Sequence, residues 1–396
     1  MRTSKFRAKR FSPIQLLAAV LVTLLVTVLA LFLAAWLTIG PEGLTLLEGM
    51  ALVNTRFVGE YEKEKVLDSA MSGMISGLGD RWSYYLSPER YQAEQERRAN
   101  SYVGIGVTVD YSSEEGLTIQ AVTEGGPAQE AGLTPGEIIT AVDGQSIAGD
   151  KRYEATELIQ GKENTAVILT LLGTDGESRE AEVTRRSIET DPVAYEMLEN
   201  GTGYIRVENF FRRSADQVKA AVEDLQSQGA KALVFDMRDN GGGYLDELIP
   251  MLDSLLPEGP IFRTRSRSGT EKIEESDAEC VGLPMAVLVN GDTYSAAEIF
   301  AAELQEWGAA VVVGTPTSGK GYSQQLYPLF NGGAVGISTA EYFTGEGKSL
   351  VGTGLTLDRE YHLSQTDEAR RQAGGLPLEE DGQLQAALEL LEGREG

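Results

Sequence analysis

The sequence predicts a multidomain α/β protein that begins with an N-terminal transmembrane helix. Three observations lead to this prediction. An apolar stretch without charged residues runs from 14 to 39. Short β-branched runs separated by glycine turns follow in 101–186, and short apolar runs alternate with amphipathic helical stretches in 187–396. A chain of 396 residues is too long for one ordinary domain, so several folded units are expected.

The apolar stretch is long enough to cross a hydrocarbon core of about 30 Å as a helix. It is longer than the core of a typical signal peptide, and no clear small-residue cleavage site follows it. Five basic residues precede it, namely Arg2, Lys5, Arg7, Lys9 and Arg10. The positive-inside rule keeps them in the cytoplasm. We therefore expect a single-pass cell-membrane protein whose chain after Gly40 is extracytoplasmic, with a cleaved signal sequence as the alternative.

The composition excludes several classes of function. The net charge of −26 argues against nucleic acid as a partner, because phosphate binding needs a basic surface; plain solubility explains the acidity equally well. Cys280 is the single cysteine, so no intrachain disulfide can form. His362 is the single histidine, which excludes metal sites built on several His or Cys ligands.

The predicted division has four parts: a cytoplasmic tail and anchor at 1–40, a helical region at 41–100, a β-rich module at 101–186 and an α/β unit at 187–396. The helical region, including its aromatic segment 81–89, is interpreted as a spacer without chemistry. The module should have strands at 102–109, 117–122, 138–142, 166–172 and 179–184. The last unit should have buried strands at 232–237, 285–289 and 310–313, and helices at 214–228, 244–255, 295–307 and 378–391.

Three features of the last unit follow consecutive predicted strands, and ligands of open α/β sheets bind at such strand ends. Three glycines, 241–243, could point backbone amides at an oxyanion, or they could form a plain tight turn. Ser295 lies between a strand and a helix, where it could be a nucleophile or a helix cap completed by Glu298. Lys320 stands between two glycines and would serve as a base only if its pKa is lowered. With a single histidine in the chain, this combination favours a serine nucleophile with a lysine base.

At these residues the chain resembles the carboxyl-terminal processing peptidases, the tail-specific Ser/Lys proteases of family S41. The resemblance runs from about residue 42 to 358 and includes Tyr-Leu-Ser-Pro-Glu at 85–89 and the segments 203–206 and 236–243. Residues 101–186 look like a PDZ domain placed before or within an α/β peptidase core.

The resemblance implies roles for individual residues. Ser295 would be the nucleophile, Lys320 its general base, and Gln324 the residue that orients the lysine. The oxyanion would be held by the amides of Ala296 and one of Gly242 or Gly243. The PDZ-like module would bind the free C-terminus of a polypeptide substrate through Val103, Gly104, Ile105 and Gly106. The mechanism requires no metal or cofactor, and residues 42–99 are expected to support homodimer contacts.

Three positions depart from the family pattern. Gly241 stands where proline is usual, which should loosen the loop but keep its amides. Gly-Leu-Thr-Leu-Asp at 354–358 replaces Gly-Ile-x-Pro-Asp, so that strand should be aligned differently. Gln160 stands where many members carry a basic residue, which puts a link between the PDZ position and activity in doubt. Two functions follow: an active membrane-tethered endopeptidase, or an anchored PDZ scaffold with a silent peptidase core.

Overall fold

The structure is a computed structural model that describes residues 12–393. The predicted basic cluster at residues 2–10 lies outside the described residues. Contacts divide the chain into two compact units, 1–67 and 68–396.

The first unit consists largely of one long apolar helix. Helix α1 spans Pro13–Arg56 and is interrupted at Gly40, which has non-helical dihedral angles (φ 66°, ψ 180°). Pro41 follows, and proline cannot donate the next helical hydrogen bond. The part Pro13–Ala34 has a mean hydropathy of 3.0, is not buried, and is long and apolar enough to cross a membrane. A signal sequence has the same character, so this helix fits either an anchor or a signal.

The aromatic segment predicted as part of a helical spacer contains a strand. Helix α2 (Lys63–Ser76) is followed by strand β1 (Tyr84–Leu86) and helix α3 (Pro88–Arg98). Strand β1 pairs antiparallel with residues 334–336 of the C-terminal half, and its two tyrosines are of a residue type that suits a half-buried sheet. This long-range pairing could not be read from the local pattern.

The middle of the chain is a compact β-rich module. Its strands are β2 (Ser101–Gly104), β3 (Val107–Asp110), β4 (Leu117–Val122), β5 (Ile138–Val142), β6 (Gln145–Ser146), β7 (Ala166–Leu172), β8 (Ser178–Thr184) and β9 (Arg186–Glu189). Helix α4 (Pro127–Glu130), a 3₁₀ turn (Gly149–Tyr153) and helix α5 (Ala155–Ile159) complete it. The main sheet has the antiparallel order β3-β4-β5-β7-β8, and its apolar face encloses a core of its own. The single strand predicted over 102–109 is two strands, divided at Gly106 with φ 76°.

The last part is an α/β unit built on a six-stranded sheet. Its strands are β10 (Val193–Met197), β11 (Thr202–Val207), β12 (Ala232–Asp236), β13 (Gly259–Ser266), β14 (Glu271–Ser276), β15 (Met285–Val289), β16 (Ala310–Gly314), β17 (Tyr322–Pro328), β18 (Ala334–Phe343) and β19 (Arg359–Glu360). Its helices are α6 (Ser214–Ser227), α7 (Leu245–Asp253), α8 (Ala296–Glu306), α9 (Gln365–Gln372) and α10 (Gly382–Glu392), with a 3₁₀ turn at Leu378–Glu380.

The order of the main sheet is β10-β11-β12-β15-β16-β19, parallel from β11 onward. Helices α6, α7 and α8 pack on one face and α10 on the other, so β12, β15 and β16 are buried on both faces. Double-sided burial explains why these strands are continuous apolar runs. A second sheet, β1-β18-β13-β14 with β17 beside β18, forms a further wall.

Candidate active site

The three predicted features meet at the carboxyl edge of the main sheet. The glycine corner follows β12, Ser295 follows β15, and Lys320 lies in the loop that follows β16. Parallel neighbouring strands end at the same edge, so these loops converge. Gly243, Ser295, Ala296, Lys320 and Gln324 all line one cavity of about 990 Å³. The peptide-sized cavity therefore gathers most of the residues that the sequence singled out for chemistry.

Ser295 has a strained backbone. Its dihedral angles are φ 63° and ψ −125°, a region that non-glycine residues rarely occupy. Helix α8 begins at the next residue, Ala296, so the hydroxyl stands on a sharp strand-to-helix turn. Ser295 is thus at the helix-cap position, as one interpretation of the sequence expected. Strain of this kind is common where a structure presents a reactive group.

The glycine corner distinguishes its two candidate amides. The N–H of Gly242 donates to Oδ1 of Asn240 at 2.8 Å, and Gly242 is buried. Gly243 is exposed in the cavity, and its N–H has no acceptor among residues 12–393. A Cβ on Gly242 would lie 2.8 Å from Cβ of Ser295, and one on Gly243 would lie 2.2 Å from O of Phe210. Both positions therefore require glycine, but only Gly243 offers a free donor.

A set of hydrogen bonds joins the glycine corner to the loop that carries Ser295. Asn290 accepts from N of Asp239 at 2.9 Å and donates to its carboxylate at 2.7 Å. The N–H of Tyr294 donates to O of Asn240 at 3.1 Å. Arg371 of α9 donates two hydrogen bonds to the carboxylate of Asp239, at 2.7 and 3.2 Å. The glycine corner and the loop that carries Ser295 are thereby held together.

Lys320 sits in an aromatic box. Its Nζ is 4.9 Å from the ring centroid of Trp82 and 5.6 Å from that of Tyr294. No carboxylate forms an ion pair with it within the described part of the chain. Burial, assisted by the positive charge of Arg98, lowers the pKa of Lys320 to about 8. A sizeable fraction of this lysine is therefore neutral near physiological pH, as a general base must be.

Glu298 connects the serine and the lysine. Its fully buried carboxylate accepts from the backbone N–H of Ser295 at 3.2 Å, of Gly319 at 2.8 Å and of Lys320 at 3.0 Å. The hydroxyl of Thr317 donates to the same carboxylate at 2.6 Å. In the sequence Glu298 was noticed only as a possible capping-box partner, and its contact with Lys320 had no sequence signal.

Two further aromatic residues near the site were missed by the sequence reasoning. Trp82 belongs to the segment interpreted as a spacer, yet it lies against Lys320. Tyr342 of β18 is buried and donates from Oη to O of Lys320 at 2.5 Å. Both lie outside the loops that carry Ser295 and Lys320, so only folding could bring them there.

Gln324 lines the cavity but points its amide elsewhere. Its Nε2 donates to O of Tyr322 at 2.8 Å and to Oγ of Ser338 at 3.0 Å. No hydrogen bond joins Gln324 to Lys320 in residues 12–393. In this arrangement the aromatic rings lie beside the amine of Lys320 and Glu298 holds its backbone N–H, whereas the glutamine makes no contribution of this kind.

The four residues predicted to bind a carboxylate lie in the β-rich module and not in the cavity. Val103, Gly104, Ile105 and Gly106 are all buried. The carbonyl of Ile105 accepts from N of Ala128 at 2.8 Å, and that of Gly106 accepts from N of Thr123 at 2.9 Å. These bonds fix the loop between β2 and β3. His362 is exposed and contacts Glu360 at 2.8 Å, and the described residues contain no His/Cys/Asp/Glu group suited to a metal.

Comparisons with known proteins agree with this arrangement. Residues 201–361 match Peptidase family S41, and residues 118–172 match the PDZ domain. The chain is 32% identical to the carboxy-terminal-processing protease of Bartonella bacilliformis, over 77% of this chain and 72% of that protein. It is 33% identical to the carboxyl-terminal-processing protease of Synechocystis sp., over 82% of this chain and 77% of that protein.

A solved structure of an S41 protease from Bacteroides fragilis shares the fold, with 21% identity, a TM-score of 0.52, and coverage of 86% of this chain and 93% of that one. The α/β core with a PDZ domain defines a serine peptidase. The chain belongs to peptidase family S41, and it is a carboxyl-terminal processing protease of that family.

Proposed function

We propose that the protein is an extracytoplasmic serine endopeptidase, anchored by one membrane helix, that cleaves proteins near their C-termini with Ser295 as nucleophile and Lys320 as base. The observation that supports this most directly is the half-buried lysine, with a pKa lowered to about 8, in the cavity that contains the strained serine. The proposed division into parts 1–40, 41–100, 101–186 and 187–396 places the chemistry in the last of them.

The reaction is acyl transfer. The neutral amine of Lys320 removes the proton from Oγ of Ser295 while Oγ forms a bond to the substrate carbonyl carbon. The C–N bond of the resulting tetrahedral intermediate then breaks, and the Lys320 ammonium gives its proton to the departing amine. A water molecule gives a proton to the same lysine as its oxygen forms a bond to the acyl carbon. The C–Oγ bond then breaks, and Lys320 returns the proton to Oγ of Ser295. Protons and electrons balance over the cycle without any other reactant.

The oxyanion is proposed to bind the N–H groups of Gly243 and Ala296. Ala296 supplies the first amide of α8, where the helix dipole also favours negative charge. Gly242 is the less suitable alternative, because its N–H is already donated to Asn240. We assign Gly242 the role of allowing close approach to Ser295.

Gln324 is proposed to orient Lys320 when substrate is bound. This requires the Gln324 amide to break its 3.0 Å hydrogen bond to Oγ of Ser338 on the neighbouring strand. The PDZ domain is proposed to hold the substrate C-terminus, with the carboxylate at the loop formed by 103–106 and the peptide along the adjacent strand. This loop precedes the matched residues 118–172, so its assignment depends on the resemblance and on the position of the loop before β3.

The membrane part of the proposal depends on the apolar helix Pro13–Ala34 and on the basic residues before it. A topology assay with alkaline phosphatase fused after residue 60 would give high activity if the following chain is extracytoplasmic. The orientation would be contradicted if the alkaline phosphatase fusion is inactive while a reporter that works only in the cytoplasm is active at the same position.

The catalytic proposal is tested by labelling the full chain in detergent with a fluorophosphonate. Wild-type protein should be labelled at Ser295 and should cleave an unstructured protein such as casein, whereas Ser295→Ala should do neither. Lys320→Met should retain the fold, measured by circular dichroism, and lose labelling. A folded wild-type protein that binds peptide C-termini but is neither labelled nor active would favour the silent PDZ scaffold.

A further inference from the structure

The catalytic cavity is basic although the protein as a whole is strongly acidic. Besides Lys320, four arginines line it, and they are Arg81, Arg97, Arg98 and Arg212. Only two acidic residues, Glu94 and Asp246, share the lining. The chain carries a net charge of −26, so this local excess of positive charge is opposite in sign to the net charge of the chain.

Two of the four arginines have structural partners. Arg97 contacts the carboxylate of Glu94 at 2.8 and 2.9 Å, and Arg98 contacts the same carboxylate at 2.5 Å. Arg98 also donates to Oη of Tyr84 at 3.2 Å. These contacts fix α3 to its surroundings, and one carboxylate partly neutralises both guanidinium groups.

The other two arginines are exposed in the cavity and carry no ion pair among residues 12–393. Arg81 stacks on Trp82 at 4.2 Å, and the same ring is the neighbour of Lys320. Arg212 comes two residues after Phe210, whose backbone contacts Gly243. Arg81 therefore stacks on the ring that neighbours Lys320, and Arg212 belongs to the segment that contacts Gly243.

We propose that Arg81 and Arg212 bind carboxylates of the substrate on either side of the scissile bond, which makes this a peptidase that prefers acidic segments. A guanidinium binds a carboxylate through two parallel hydrogen bonds, and stacking on an aromatic ring pre-orients it. An acidic substrate is repelled by the overall field of the protein, so a local basic site is what allows it to dock. The carboxylate is that of an Asp or Glu side chain or of the chain terminus. This proposal rests on Ser295 being the nucleophile.

The test compares matched peptides on the full chain in detergent. In each pair, the two peptides differ by one Glu that is replaced by Gln, and the pairs cover the three positions on each side of the cleaved bond. One further pair differs only in having a C-terminal acid or amide. The readout is the ratio of kcat/KM for the charged over the uncharged peptide. Wild type should favour the charged member about fivefold at one position or more, and added salt should reduce this ratio.

Arg81→Gln and Arg212→Gln should each bring the ratio close to one at the positions they serve, while cleavage of the uncharged peptides continues. Arg267→Gln is the matched control, because Arg267 is exposed, carries no ion pair in the described residues and does not line the cavity. It should keep the wild-type ratio. The side-chain and terminal sources are distinguished by which pair of peptides responds to the Arg variants.

The proposal is overturned if wild type discriminates less than twofold in every pair, or if both Arg variants retain the wild-type ratios. Such a result would leave the nucleophile assignment intact, because the peptides would still be cleaved. Failure of the nucleophile assignment has a different signature, since Ser295→Ala would then cleave charged and uncharged peptides as wild type does.

Discussion

The carboxylate of Glu298 accepts hydrogen bonds from the backbone N–H of both Ser295 and Lys320, at 3.2 and 3.0 Å. One buried side chain thus joins the backbone of the proposed nucleophile to that of the proposed base. Burial raises the pKa of this carboxyl, and the hydrogen bonds it accepts oppose that change. The arrangement links the start of α8 to the loop after β16.

Glu298→Gln should lower kcat by about 10- to 100-fold with little change in KM, because a small displacement of a reacting group is costly and substrate contacts stay in place. The amide keeps the size of the side chain but has one acceptor oxygen instead of two. Glu303→Gln is the control, since Glu303 is also buried in α8 but accepts from N of Gly345. Equal activity of both variants would remove the positioning role of Glu298.

The pH dependence of activity should report the titration of Lys320. The active form is neutral, and burial lowers the pKa of the lysine to about 8. We expect kcat/KM to rise about tenfold per pH unit below pH 8 and to level off above it. Lys320→Arg should lose at least about 10²-fold in kcat at every pH, because guanidinium stays protonated. A wild-type profile that keeps rising toward pH 10 would show an unperturbed lysine.

Gly241 and Tyr294 should be energetically coupled. A Cβ on Gly241 would lie 2.5 Å from Oη of Tyr294, so Gly241→Ala should displace the ring from the aromatic box around Lys320 and lower kcat/KM. Tyr294→Ala removes the clash, and the double variant should therefore be more active than the product of the two single effects predicts. Simple multiplication of the single effects would mean that the two residues act independently. Gly291→Ala, with only one neighbour at 3.8 Å, is a matched control.

Glu303 should make stability depend on pH. Burial raises its pKa to about 8, with the nearby charge of Glu306 acting in the same direction. The folded protein then binds one proton more than the unfolded chain between about pH 4.3 and pH 8, so stability falls as pH rises through this window. Thermal unfolding of the full chain in detergent should give a lower Tm at about pH 8.5 than at about pH 5.5.

In Glu303→Gln this decrease should be much smaller, since the neutral amide has no charge to desolvate. Glu279→Gln, at an exposed position, should keep the wild-type difference between the two pH values. If Tm decreases by the same amount in Glu303→Gln and in wild type between these two pH values, another group is responsible for the pH dependence.

The sequence determined those features that depend on neighbours along the chain. The apolar helix, the buried strands β12, β15 and β16, and the three loops after them all follow from local pattern and length. Parallel strands end at one edge, so Ser295 and Lys320 could be expected to meet without knowledge of the packing. The S41 family could likewise be recognised from the motifs alone.

Only the tertiary structure decided the surroundings of those residues. It places Trp82, which was interpreted as part of a spacer, beside Lys320. In it the N–H of Gly242 donates to Asn240, whereas that of Gly243 has no acceptor among residues 12–393. It also joined Glu298 to the lysine loop. The contacts of Lys320 with Trp82 and Glu298 join separated parts of the chain, and the lowered pKa of Lys320 depends on how completely the surrounding residues exclude water. Residue types and order do not specify that burial; the packing of the two sheets and α3 around the cavity does.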